Sequence, residues 1–251
     1  TFKITFTGDN IRPKDLSWYS AKTPEQWLYL LLIKTPLGCI KYSDSKSKNI
    51  TFDLKVTKKD GTINVIKKND ASYLFPHTKI KASVNLKDIM SFQQKTISQG
   101  KDASKIPSKF KKSNGIYENF TNAEILELRK SDKSFNKIVT EYKIEAYGYF
   151  TYSTAVWDSL NDSLAKLRKG YRVLKGGLQL ANNQMIQGEL IAIPLTSNIG
   201  YQNQCHVIVH FKDADPDLGR KGFQPELKEA AEKQAVTIVN RQKQWKQLLK
   251  S

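Results

Sequence analysis

Residues 205–211 read Cys-His-Val-Ile-Val-His-Phe, with three β-branched residues in a row and no Asp, Glu, Lys or Arg. Such a run suits a strand buried on at least one face. A polar loop, Lys212 to Gln224, follows it. Pro225-Glu226 then opens a helix expected to run to about Leu249. Leu227, Ala231, Ile238, Trp245 and Leu249 recur along it at roughly helical spacing, a stripe that must pack against something. Strand, loop and helix together describe a sheet with a helix on one face.

Three more strands are expected upstream. Tyr142 to Tyr152 reads as one long strand. Arg172-Val173-Leu174 with Gly177 to Leu180 reads as a second, and Glu189 to Ile193 as a third. The fold class is therefore α+β. Residues 121–251 should form a mixed four-stranded sheet with the Pro225–Leu249 helix packed on one face.

Residues 1–120 read as a smaller α+β part. Phe2-Lys3-Ile4-Thr5-Phe6 alternates with period two and predicts a strand ending at Gly8. Thr23-Pro24-Glu25-Gln26 has the N-cap, first-turn proline and third-position Gln of a capping box, so a helix should run to about Lys34. Residues 51–56 and 62–66 predict a hairpin turned by Asp60-Gly61. From about 90 to 119 the chain is Lys- and Ser-rich, with Pro107 and Gly115 and no visible periodicity. It reads as a mobile basic loop and as the domain boundary.

The net charge is +17, and it is uneven. Residues 1–140 hold 26 Lys and Arg against 13 Asp and Glu, while the remainder holds 15 against 11. An excess carried almost wholly by Lys suits phosphates and polyanions without reading bases. A solvated Lys-rich surface has the same composition. No run of 18 apolar residues exists to cross a membrane, so no membrane partner is expected. Cys39 and Cys205 stand far apart, fit no metal spacing, and read as buried reduced thiols of a cytoplasmic or nuclear protein. The start at Thr-Phe-Lys, without Met, reads as a piece of something longer.

Most catalytic templates fail. There is no GxxxxGK[ST] loop, no GxGxxG fingerprint, no GxSxG elbow and no kinase HRD or DFG. His206 and His210 share a strand face, but lie about 13 Å apart along it, too far to hold one metal. They read as satisfied strand histidines. Asp213, Asp215 and Asp217 alternate as in a cation loop, without further acidic ligands beside them. The informative stretch is Asp215-Pro216-Asp217-Leu218-Gly219-Arg220-Lys221-Gly222-Phe223-Gln224. Two cations sit between two glycines, after a buried strand and before a helix. Glycines let backbone amides approach an anion, and the helix N-terminus adds a favourable dipole. A basic surface turn has the same composition.

This order of strand, acidic-Pro loop, glycine-flanked cation and helix resembles the transducer domain of the GHKL ATPases. Those include gyrase B-type topoisomerases, MutL, the large heat-shock chaperones and the MORC ATPases. Lys175-Gly176-Gly177 through Asn182-Asn183 resembles their inward strand with its polar bend. Trp18-Tyr19-Ser20, Thr23 to Leu28 and Lys34 to Gly38 resemble a segment just downstream of the nucleotide fold. The resemblance covers residues 140–249 and, more weakly, 1–80. It implies a ribosomal-protein-like transducer fold in which Lys221 or Arg220 meets the γ-phosphate of ATP. Gly219, Gly222 and Gln224 would line the approach. ATP and Mg would be held mainly by a nucleotide-binding domain of the same parent protein, which would act as a homodimer. The family's ExxxN helix, DxGxG loop and Gln-Thr-Lys triplet have no counterpart here, so this chain alone is not expected to bind or hydrolyse ATP.

The other expectation is a non-enzymatic nucleic-acid-binding module. Its Lys clusters would meet phosphates, and Tyr147, Tyr149 and Tyr152 would offer stacking faces. Cross-strand packing is the alternative role for those tyrosines.

Overall fold

The computed structural model describes residues 19–41, 50–57, 60–102, 104, 106–215 and 223–250. The strand expected at Phe2–Phe6 lies outside them. Helix α1 (Pro24–Lys34) begins as its capping box dictates. The Gln26 N–H donates to Thr23 Oγ1 at 3.3 Å, and the Thr23 N–H donates to Gln26 Oε1 at 3.1 Å. Strands β1 (Ile50–Thr57) and β2 (Ile63–Ala71) form the antiparallel hairpin, with Gly61 at φ +82° in the turn. A side chain at that φ would be strained, which is the reason for Asp-Gly there.

The main sheet holds six strands in the order β3-β4-β5-β8-β6-β7. They are β3 (Ser83–Asn85), β4 (Gly115–Phe120), β5 (Glu145–Thr151), β6 (Gly177–Asn182), β7 (Met185–Ile191) and β8 (Cys205–Phe211). The sheet is mixed: β3–β4 and β6–β8 are parallel, and the other pairs are antiparallel. The α+β class holds, but the expected four strands are joined by two from before residue 120. The sheet therefore runs across the position read as a boundary, through the pairing of Phe120 with Ala146.

Several element readings are corrected. Residues 90–119 are not a mobile loop: they contain most of helix α3 (Leu86–Ser98), a 3-10 turn at Ser108–Phe110 and β4. The apolar stripe of α3 starts at Leu86 and Ile89, upstream of the polar stretch that hides it. Asn85 caps it, its Oδ1 accepting from the Lys87 N–H at 3.0 Å. The long strand expected from Tyr142 starts only at Glu145, because Tyr142 ends helix α5 (Lys133–Glu141) and Lys143 takes φ 45°. Residues 172–174 lie outside β6. Glu118 and Asn122 do stand at ExxxN spacing, but Glu118 is in β4 and Asn122 opens helix α4 (Asn122–Leu128).

Every residue of β8 is buried, because both faces of the sheet are covered. Ala146, Phe150, Val207 and Val209 face the core shared with α3, α4, α5 and helix α7 (Pro225–Lys243). Tyr147, Tyr149 and Ile208 face the other core, with α1, Phe75 before the short helix α2 (Pro76–Lys79), and Trp157 of helix α6 (Ala155–Leu160). Helices thus lie on both faces rather than one. The approach of α7 is close. A Cβ at Gly148 would collide with Ile238 Cγ2, and Gln242 Nε2 donates to the Gly148 carbonyl at 2.9 Å.

Candidate functional site

Gly219, Arg220, Lys221 and Gly222 lie outside the described residues; the residues that flank their segment, Asp213 to Asp215 and Phe223 onward, lie within them. β6 and β7 join through a two-residue turn in which Asn183 (φ 48°) and Gln184 (φ 70°) are both left-handed. Such a turn matches the right-handed twist of the strands, and Asn tolerates it better than most residues. The turn lies against the end of β8. The Asn183 N–H donates to the Phe211 carbonyl at 3.1 Å. The Gln184 N–H donates to His210 Nε2 at 2.8 Å, so this imidazole carries its proton on Nδ1, 3.5 Å from Glu145 Oε2.

Asn183 and its neighbour Asn182, the last residue of β6, hold the residues that follow β8. Asn182 Nδ2 donates to the Ala214 carbonyl at 2.6 Å, and the Ala214 N–H donates to Asn182 Oδ1 at 3.2 Å. Asn183 Oδ1 accepts from the Asp213 N–H at 3.1 Å. Asn182 and Ala214 are buried, so each backbone group of Ala214 would otherwise be an unsatisfied dipole. At the far end, the buried Phe223 packs on Phe211 with ring centroids 5.1 Å apart. Gln224, among the expected site residues, is the N-cap of α7. Its carbonyl accepts from the Leu227 and Lys228 N–H groups, and its side chain makes no capping bond. The segment bearing Arg220 and Lys221 is therefore flanked by fixed residues on both sides.

The strand histidines are structural. His206 is buried, its Nδ1 donating to the Lys175 carbonyl at 2.8 Å and its Nε2 accepting from the Tyr73 hydroxyl at 3.0 Å. Burial holds it down at about 4, so it is neutral at pH 7. Among the described residues no group of three His, Cys, Asp or Glu could hold a metal ion; Asp217 lies outside them. Cys39 and Cys205 are both buried thiols. Among the described residues no helix is long and apolar enough to cross a membrane.

The tyrosine stacking platform is overturned. Tyr147 and Tyr149 are fully buried against Phe75 and Trp157, and only Tyr152, past the end of β5, is exposed. Their alternation with small and apolar residues is that of a central strand covered on both sides.

Comparison with family models, with curated proteins and with solved structures finds no match to this chain.

Proposed function

We propose that this chain is the transducer half of a GHKL-type ATPase. In this reading Lys221, with Arg220 beside it, reaches the γ-phosphate of ATP held with Mg by a preceding domain of the same parent. The observation that supports it is the asparagine clamp. The polar bend singled out in the sequence resemblance is the element that grips Asp213 and Ala214, at the root of the cationic loop. A loop meant to deliver charge to a site on another domain needs a root that does not yield, and this one is tied to the central strand. ATP supplies the transferred phosphoryl group. What the chain supplies is positive charge where negative charge develops, and a sheet to which loss of that contact is transmitted.

Two substitutions in the parent test the reading. Lys221→Ala should lower ATP turnover by roughly 2.7–4 kcal/mol of transition-state stabilisation, as for loss of one electrostatic donor. Arg220→Ala should have the smaller effect. Unchanged turnover in the double variant would reduce the loop to a basic turn.

A further inference from the structure

At the other end of α7 the backbone brings two Lys-rich segments together. The Ser113 N–H donates to the Leu248 carbonyl at 2.9 Å, and the Lys250 N–H donates back to the Ser113 carbonyl at 3.0 Å. Lys111 and Lys112 are thereby held beside Lys246 and Lys250, and the last turn of α7 adds Lys243. These five lysines line one groove of about 740 Å³ that no Asp or Glu lines. Among the described residues, no ion pair involves any of them. Lys112 is held at φ 59°, a conformation that Gly or Asn adopts more easily.

Bringing like charges together is unfavourable unless an anion lies between them. The remaining lining residues narrow the choice of anion. Tyr152 and Tyr201 line the groove, Tyr152 exposed and Tyr201 half-buried against Phe150 at 5.3 Å. Gln204, Gln244 and Gln247 add amide donors and acceptors. Lysines, aromatic rings and amides lining one groove are the combination that takes a phosphate backbone and the bases attached to it. An inorganic polyanion or a lipid headgroup would have no use for the rings.

We propose that this groove binds single-stranded nucleic acid, with Lys111, Lys112, Lys243, Lys246 and Lys250 on the phosphates and Tyr152 stacking on a base. The inference is independent of the nucleotide reading. α7 has 19 residues, so its N-terminus, just after the cationic segment, and its last turn, at the groove, lie about 28 Å apart. The groove is also not the surface that overall composition points to, since three of its lysines come from the less basic second half of the chain.

The test is fluorescence anisotropy of a labelled 12-nucleotide oligo-dT with the full chain, titrated between 50 and 200 mM salt and without ATP. Each phosphate contact on a single strand contributes about 0.7 to the slope of log affinity against log salt. Lys112→Gln/Lys246→Gln/Lys250→Gln should therefore flatten the slope by about 2. Lys55→Gln/Lys67→Gln on the β1–β2 hairpin should leave it unchanged. Tyr152→Ala should weaken binding at least fivefold, roughly the loss of one stacked base, without changing the slope. Circular dichroism melts confirm that each variant is folded, and Tyr152→Phe, which keeps the ring, should bind as the unsubstituted chain does. The proposal is overturned if the groove triple variant binds like the unsubstituted chain, or if the hairpin variant loses as much. It is equally overturned if Tyr152→Ala has no effect, which would mark a site for polyphosphate, or if anionic phosphatidylserine vesicles bind the groove and oligo-dT does not.

Discussion

Glu118 of β4 and Arg241 of α7 meet in a two-pronged pair: Arg241 Nε donates to Glu118 Oε2 at 2.8 Å and Nη2 donates to Oε1 at 3.0 Å. The carboxylate side chain is only 3% exposed, so its charge is compensated by this partner rather than by water. The pair fastens the last turns of α7 to β4, a strand from the first 120 residues. It lies in a cavity of about 440 Å³ with Phe120, Leu128 and Glu124. Removing one partner of a buried pair costs about 3–5 kcal/mol, whereas replacing both by apolar groups of similar volume is often neutral. Arg241→Met should therefore lower unfolding free energy by about 3 kcal/mol, and Glu118→Leu/Arg241→Met should recover most of it. Urea unfolding midpoints of the three proteins check this.

Gly148 gives a steric prediction. Gly148→Ala sets a Cβ against Ile238 and Gln242, and overpacking of this kind costs about 1–3 kcal/mol. Ile238→Ala removes the obstructing methyl while leaving a cavity. The double variant should be more stable than the sum of the two losses implies, by about 0.5 kcal/mol or more. Strict additivity would mean that α7 shifts to make room.

Stability should fall on mild acidification. Burial, with the Lys34 ammonium adding to it, holds His206 down at about 4, against about 6.5 in an unfolded chain. Burial likewise holds His77 at about 4. Between these values the unfolded chain binds protons that the folded one does not, so the contribution is whole above 6.5 and is lost as pH falls toward 4. For His206 the loss between pH 7 and pH 5 is about 2 kcal/mol, with His77 acting in the same direction. Urea midpoints across that range should drop. His206→Asn should start lower and drop less.

Local chemistry made part of the fold legible. The capping box marks the start of α1, Asp-Gly marks the first hairpin, and the apolar run marks β8. Where burial is two-sided, periodicity carried less. Tyr147 and Tyr149 offered the same pattern as a stacking face, because aromatic and β-branched positions look alike whether covered by a helix or by a ligand. β3 has only three residues and pairs in parallel with β4, 32 positions on, so nothing local marks it. Asn182-Asn183 was noticed as a bend, but its grip on Ala214 is long-range. The lysine groove is built from residues near 111, 152, 201 and 246, which long-range backbone contacts such as the bridge between Ser113 and Leu249 bring together.

The asparagine clamp separates stability from chemistry. Asn182→Ala leaves the buried N–H and C=O of Ala214 without partners, at about 1–3 kcal/mol each. It should lower the melting temperature of the chain and, on the transducer reading, ATP turnover in the parent as well. Lys221→Ala should lower turnover alone. Differential scanning calorimetry beside a turnover assay distinguishes the two patterns.

The most direct measurement of the transducer reading is a pair of affinities in the parent protein, for ADP and for a non-hydrolysable ATP analogue. A contact to the γ-phosphate exists only with the analogue. Lys221→Ala should weaken the analogue by roughly ten- to a hundredfold, the equivalent of one charged hydrogen bond, and leave ADP unchanged. Equal affinities for both nucleotides before and after substitution would contradict the account.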